Sequence, residues 1–134
     1  MGFHTDRRSR KWSEIGNAPS GALHVYLPQQ KLQFRFMGSV ERVVEGEKNT
    51  ARWLNMHPNS RRCYQTQPSP ATHIEAPWEN PPQDENPMTG MENFGWVRFR
   101  VEELEWLYLS SKGHQRALFT WDAQDTLRST WMMP

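Results

Sequence analysis

The chain has 134 residues, with 16 Lys and Arg against 15 Asp and Glu, a formal net charge of +1. That length fits one domain over 1–134, and the charge balance excludes a general nucleic-acid binder, which carries a clear basic excess. No run approaches the length of a membrane span and no apolar signal region opens the chain, so a cytoplasmic setting is expected; the single cysteine, Cys63, excludes an internal disulfide and a multi-cysteine zinc site.

Charge is uneven along the chain. Residues 1–12 carry Arg7, Arg8, Arg10 and Lys11 against Asp6 alone, whereas residues 75–92 carry Glu75, Glu79, Asp84, Glu85 and Glu92 with no Lys or Arg. The basic charge therefore sits at one end. Seven Trp is a high count. Core and interface packing accounts for most of them, and at least one is expected to offer its ring to a planar ligand or a dimer partner.

Residues 1–5 are too few to stand alone and are expected to pair within a larger sheet. Residues 12–15 suggest one helical turn, broken at Pro19 and Gly21. Residues 22–27 alternate, with Leu23, Val25 and Leu27 on one face, and predict a strand. After a turn at Pro28-Gln29-Gln30, Leu32, Phe34 and Phe36 lie on one face of the next strand, and Gln33, Arg35 and Met37 lie on the other. Gly38 suggests a bulge or kink, with the strand continuing over 39–44. The one convincing helix spans 45–57 and ends at Pro58-Asn59. A second short helix or turn is expected over 60–64.

Residues 66–93 hold six of the ten prolines and few apolar side chains. Such a long irregular loop is functional or disordered. Disorder, or an arm crossing a partner, is the ordinary outcome, and an active-site lid is the alternative. Strands are then expected over 94–101, 104–110, 116–121 and 127–132, with turns at Lys112-Gly113 and 122–125. Short strands, tight turns, one main helix and no β-α-β alternation predict a mainly β chain with a minor helical part, folded as a small antiparallel barrel.

The chemistry concentrates in Phe3-His4-Thr5-Asp6-Arg7-Arg8-Ser9-Arg10-Lys11. A phosphate monoester needs several charge-assisted donors. Arg binds it as a planar fork, Lys adds a compact charge, and Thr5 and Ser9 add hydroxyls. From charge alone a solvated basic turn is the commoner outcome. The histidines lack the close spacing of a metal cluster, so no metal is expected. Cys63 has no His at triad-like spacing and reads as a buried or inert thiol.

This run, followed by Trp12, Glu14, Ile15 and Asn17, resembles the cofactor motif of the pyridoxamine 5′-phosphate oxidase-like family of FMN-binding split barrels. The spacing to Gln33 and to Gly38-x-x-Glu41 is similar as well. So are Trp106-Leu107-Tyr108-Leu109, Gly113-His114-Gln115-Arg116 and the closing Trp131-Met132-Met133-Pro134. The first motif is specific in combination and the later ones are weak singly; residues 66–93 fit worst. The resemblance implies a split β-barrel that binds FMN as a homodimer, with the flavin in clefts between subunits. It places His4 and Thr5 beside the flavin or its ribityl chain, Arg10 and Lys11 on the phosphate with Ser9 supporting the turn, and Gln33 near the isoalloxazine. It implies a flavin-dependent oxidoreductase moving a hydride between a small substrate and FMN.

Departures qualify that picture. The family has strands before this motif, and here Met1 falls almost upon it. The chain would then be N-terminally shortened, through truncation, a late-assigned start or a genuinely reduced site. Leu118 stands where the family often places an Arg, leaving His114 and Arg116 as the nearest substrate contacts. Trp53, His57 and Ser60 do not reproduce the family's substrate set, and Arg61 and Arg62 read as surface or dimer contacts. A non-catalytic flavin carrier or sensor, and a scaffold that no longer binds FMN, therefore stand as alternatives on the same fold.

Overall fold

The computed structural model describes residues 1–44, 46–79, 82 and 84–134. In chain order the elements are β1 (Gly2–Asp6), α1 (Arg10–Asn17), β2 (Ser20–Leu27), β3 (Leu32–Val43), α2 (Glu47–Asn55), α3 (Pro58–Gln65), β4 (Phe94–Tyr108), β5 (Gln115–Trp121) and β6 (Leu127–Met132), with a 3-10 turn at Met91–Asn93 before β4. The sheet is antiparallel in the order β2-β3-β4-β5-β6, and β1 pairs with β4. The fold is the mainly β class expected. Among the described residues, no helix is long and apolar enough to cross a membrane.

The chain forms two compact units. The first comprises Met1, Pro19–Val40 and Phe99–Pro134. Its alternating segments become the β2–β3 hairpin, whose register runs without interruption from Ser20↔Ser39 to Leu27↔Leu32. The connecting turn closes with Lys31 in the left-handed region (φ 54) and Lys31 N–H donating to the Pro28 carbonyl at 3.2 Å. Against β2 there is thus no bulge at Gly38. The glycine is there because a Cβ would collide with the Arg100 carbonyl oxygen of β4. From sequence, a bulge and a close approach by a neighbouring strand call for the same residue.

The same unit contains β5, β6 and β4 from Phe99 onward, which run as a meander. Two strands expected at 94–101 and 104–110 are one continuous strand of 15 residues. Within it, Glu103 takes a regular place opposite Thr120. The β5–β6 turn is built by Asp122, whose Oδ1 accepts from the N–H groups of Gln124 at 3.0 Å and Thr126 at 2.9 Å. This is the local capping that makes Asp a turn residue.

The second unit comprises Gly2–Ala18 and Glu41–Arg98. Its centre is an aromatic cluster of Trp53, Tyr64 and Phe94, at 0%, 6% and 1% exposure, with Met56 and Met91 packed against it. The three rings meet edge-on or tilted at centroid distances of 5.5–5.6 Å, the arrangement that ring quadrupoles favour. The helix expected over 45–57 is the shorter α2, and its expected first residue, Glu45, lies outside the described residues. Pro58 opens a helix instead of only ending one. It occupies the first turn of α3, where its missing N–H costs nothing, and His57 Nδ1 accepts from Asn59 N–H at 3.2 Å to cap the helix.

The described residues of 66–93 are irregular apart from the 3-10 turn. Their last stretch is held on the helices: Trp53 Nε1 donates to the Pro87 carbonyl at 2.7 Å and Gln65 Nε2 to the Thr89 carbonyl at 3.0 Å. We expect Gly38→Ala to lower stability by about 1–3 kcal/mol through overpacking against a backbone that cannot swing aside. Urea denaturation of the two proteins measures the difference, and an unchanged midpoint would contradict the close-approach account.

Candidate functional site

The turn from β1 into α1 is built around a buried carboxylate. Thr5 and Asp6 end β1 at 8% and 9% exposure, opposite Gly95 and Phe94 of β4. A carboxylate so placed needs charged partners. Arg8 supplies them: Nε donates to Asp6 Oδ1 at 3.0 Å, Nη2 to Oδ2 at 2.8 Å, and the Arg8 backbone N–H to Oδ1 at 2.8 Å. The hydrogen bond to Asp6, offset in part by burial, raises the Arg8 pKa above its ordinary value. Arg8 Nη1 then reaches the Thr66 carbonyl at 2.7 Å, tying the turn to the end of α3.

Ser9 completes the turn. Its Oγ donates to the Asp6 carbonyl at 2.6 Å and accepts from Trp12 N–H at 3.4 Å, and it lies 3.5 Å from Thr5 Oγ1. It is the N-cap of α1. The helix is longer than the single turn expected at 12–15, and its first two residues are Arg10 and Lys11. A helix N-terminus disfavours cations. Arg10 is 90% exposed and its Nε donates to Glu14 Oε1 at 2.7 Å, with the cation N-terminal to the acid, the weaker orientation for such a pair. Lys11 is exposed, with Nζ 5.9 Å from the Phe3 ring centroid and no carboxylate partner among the described residues.

His4 is exposed, and its Nδ1 lies 2.7 Å from Tyr64 Oη. Burial, aided by the nearby Asp6 carboxylate and Cys63, pushes the Tyr64 hydroxyl up to about 12. The second unit thus brings His4, Thr5, Ser9, Arg10 and Lys11 onto one turn. Neither Asp6–Arg8 nor Tyr64 was singled out by sequence reasoning. The Asp-x-Arg spacing was a usable signal for the first pair, and nothing local marks Tyr64. Cys63 is exposed, not buried.

Gln33, His114 and Arg116 belong to the first unit. There an open cleft of about 550 Å³ is lined by Phe34, Leu104, Trp106, Ala117, Phe119 and Trp131, among others. Gln33 neighbours Phe34, and Arg116 neighbours Ala117, so alternation turns both toward the sheet's opposite face. Arg116 Nη2 donates to Glu105 Oε2 at 2.6 Å, while its buried Nε has no partner among the described residues. His114 Nδ1 accepts from Ser110 N–H at 3.1 Å and so helps shape the β4–β5 turn, where Gly113 takes φ 120°.

Residues 1–44 match the family model described as pyridoxamine 5′-phosphate oxidase, FMN-binding domain. Over those 44 of the 134 residues the chain resembles that domain. Two solved structures are similar across 99% of it. One is a pyridoxamine 5′-phosphate oxidase-related, FMN binding protein from Nostoc punctiforme, at 21% identity and TM-score 0.76 over 72% of that chain. The other is PhzG from Burkholderia lata in complex with tetrahydrophenazine-1-carboxylic acid, at 19% identity and TM-score 0.73 over 68% of that chain. At these identities the likeness establishes the split-barrel fold. No curated protein matches the chain.

The raised Tyr64 value carries a pH consequence. A proton held more tightly in the folded state stabilises it below the unfolded pKa, near 10, and that contribution is lost as pH rises toward about 12. A late-titrating tyrosinate is expected in the alkaline ultraviolet titration, and Tyr64→Phe should delete it.

Proposed function

We propose that the β1–α1 turn binds FMN and that the chain works as a flavin-dependent oxidoreductase on a small substrate. The carrying observation is the pair of exposed cations, Arg10 and Lys11, in the first turn of α1. Placed there, they oppose the helix dipole. A bound phosphate reverses that sign, because cations, first-turn N–H groups and dipole then act together. The donor set fits a dianionic ester. Arg10 and Lys11 would hold it, Ser9 and the Asp6–Arg8 fork would keep the turn rigid, and Thr5 and His4 would stand beside the remainder of the cofactor.

Gln33 is assigned to the isoalloxazine by the resemblance, and His114 and Arg116 to the substrate side. FMN, when bound, supplies hydride acceptance and donation. The protein's own part is to anchor, orient and exclude water. Asp6 holds Arg8 away from the phosphate, so discrimination for FMN over riboflavin falls to Arg10 and Lys11.

We further read the chain as a homodimer whose flavin sites draw on both copies. The support, beyond the resemblance, is the apolar face of the first unit. Trp131 is 72% exposed there, with Trp106 edge-on to it at 6.2 Å. Aromatic surface of this kind is what partners cover.

Two outcomes are expected. FMN titration should be saturable, and Arg10→Ala and Lys11→Ala should each weaken it by about 1–3 kcal/mol, the scale of a lost charged hydrogen bond, with riboflavin affinity unchanged. Absence of flavin absorbance and of FMN affinity would end the cofactor assignment. Turnover of pyridoxamine phosphate, or of a reduced nicotinamide with FMN present, separates the oxidoreductase from a carrier. Light scattering should give a dimer mass that Trp131→Glu lowers to that of a monomer.

A further inference from the structure

The contact between His4 and Tyr64 has no part in anchoring a phosphate. Tyr64 is 6% exposed, and its ring lies 5.6 Å from the ring centroids of both Trp53 and Phe94. His4 faces solvent, edge-on to Tyr64 at 6.2 Å. A buried phenol proton requires an acceptor. Among the described residues, the acceptor within hydrogen-bond distance of Tyr64 Oη is His4 Nδ1, at 2.7 Å. The hydroxyl also holds its proton firmly, its pKa being pushed up to about 12. The direction of the bond follows: Tyr64 donates, Nδ1 accepts, and the proton of the neutral ring resides on Nε2.

We propose that Tyr64 is a positioning residue that locks His4 in the Nε2–H tautomer, presenting a fixed hydrogen-bond donor to an acceptor on the bound ligand. The identity of that ligand rests on the flavin reading above, whereas the tautomer lock does not. A flavin suits the donor, since its ring carbonyls and ribityl hydroxyls are acceptors and belong equally to FMN and riboflavin. The two parts of the turn would then divide recognition. Arg10 and Lys11 read the phosphate, and His4, held by Tyr64, reads the portion common to both flavins.

The lock is tested on the ligand-free protein by long-range proton–nitrogen NMR of the imidazoles at about pH 8.5, above the ordinary histidine range. His4→Gln assigns the signals. The expected spectrum has Nε2 protonated and Nδ1 as acceptor, with the Nδ1 signal displaced in Tyr64→Phe. A proton on Nδ1, or a Tyr64→Phe spectrum identical to the parent, would overturn the lock. Its use is tested by titrating FMN and riboflavin in parallel. Tyr64→Phe should weaken both by about 3- to 10-fold, the scale of one hydrogen bond, leaving their ratio unchanged, whereas Lys11→Ala should weaken FMN alone. In the His4→Gln background Tyr64→Phe should cost nothing further. Additive losses, or a change in the ratio, would overturn the role. If the parent protein binds neither flavin, the flavin reading falls together with the presentation to it, while the NMR result still decides the lock.

Discussion

A carboxylate buried at the end of a strand must be met by a cation, and Asp6 meets one two residues on. The Asp6–Arg8 fork is charge-assisted on both oxygens, and one partner is buried while the other is nearly so. Removing either side would leave a charge without compensation in a poorly solvated place, which costs far more than a surface pair contributes. The fork therefore sets the path of the chain from β1 into α1. It directs the Arg8 guanidinium to the end of α3 and leaves Ser9 free to cap the helix. The orientation of Arg10 and Lys11 is a consequence of that path.

The four cations of the basic run thus have different physical fates. Arg8 is structural. Arg7 lies near the Trp12 ring, 6.0 Å from its centroid, and its backbone N–H donates to the Asn93 carbonyl at 2.8 Å. Arg10 is held loosely by a neighbour on its own helix, and Lys11 by an aromatic face. In the sequence these four side chains are equivalent donors. What separates them is the burial of Asp6, which claims one and excludes it from binding duty.

Legibility of the fold tracked the range of the interactions involved. The β2–β3 hairpin was readable because a two-residue period and a Pro-led turn are local facts. The main helix and β6 were readable for the same reason. Gly38 was only partly legible because its constraint comes from Arg100, 62 positions away by the numbering. The division of β4 was misread because its continuity rests on pairing with β5, from Glu103↔Thr120 to Tyr108↔Gln115, which local periodicity does not show. At the candidate site, the basic, hydroxyl-bearing turn from Thr5 to Lys11 was legible as a turn. Tyr64 was not, since it reaches His4 from another helix and carries no motif of its own.

The same reasoning bears on the substrate side. A cation in a motif is available to a ligand only when no acid of the fold has a prior claim. Arg116 has such a claimant in Glu105, at 2.6 Å and with both side chains largely covered. His114 is engaged by a backbone N–H in a tight turn. For either to contact a substrate, the ligand must accept from what remains: the guanidinium N–H groups of Arg116 that Glu105 does not take, or the outer nitrogen of His114. Leu118 offers no donor at the neighbouring position. An anionic substrate bound there would have to compete with Glu105 for the guanidinium.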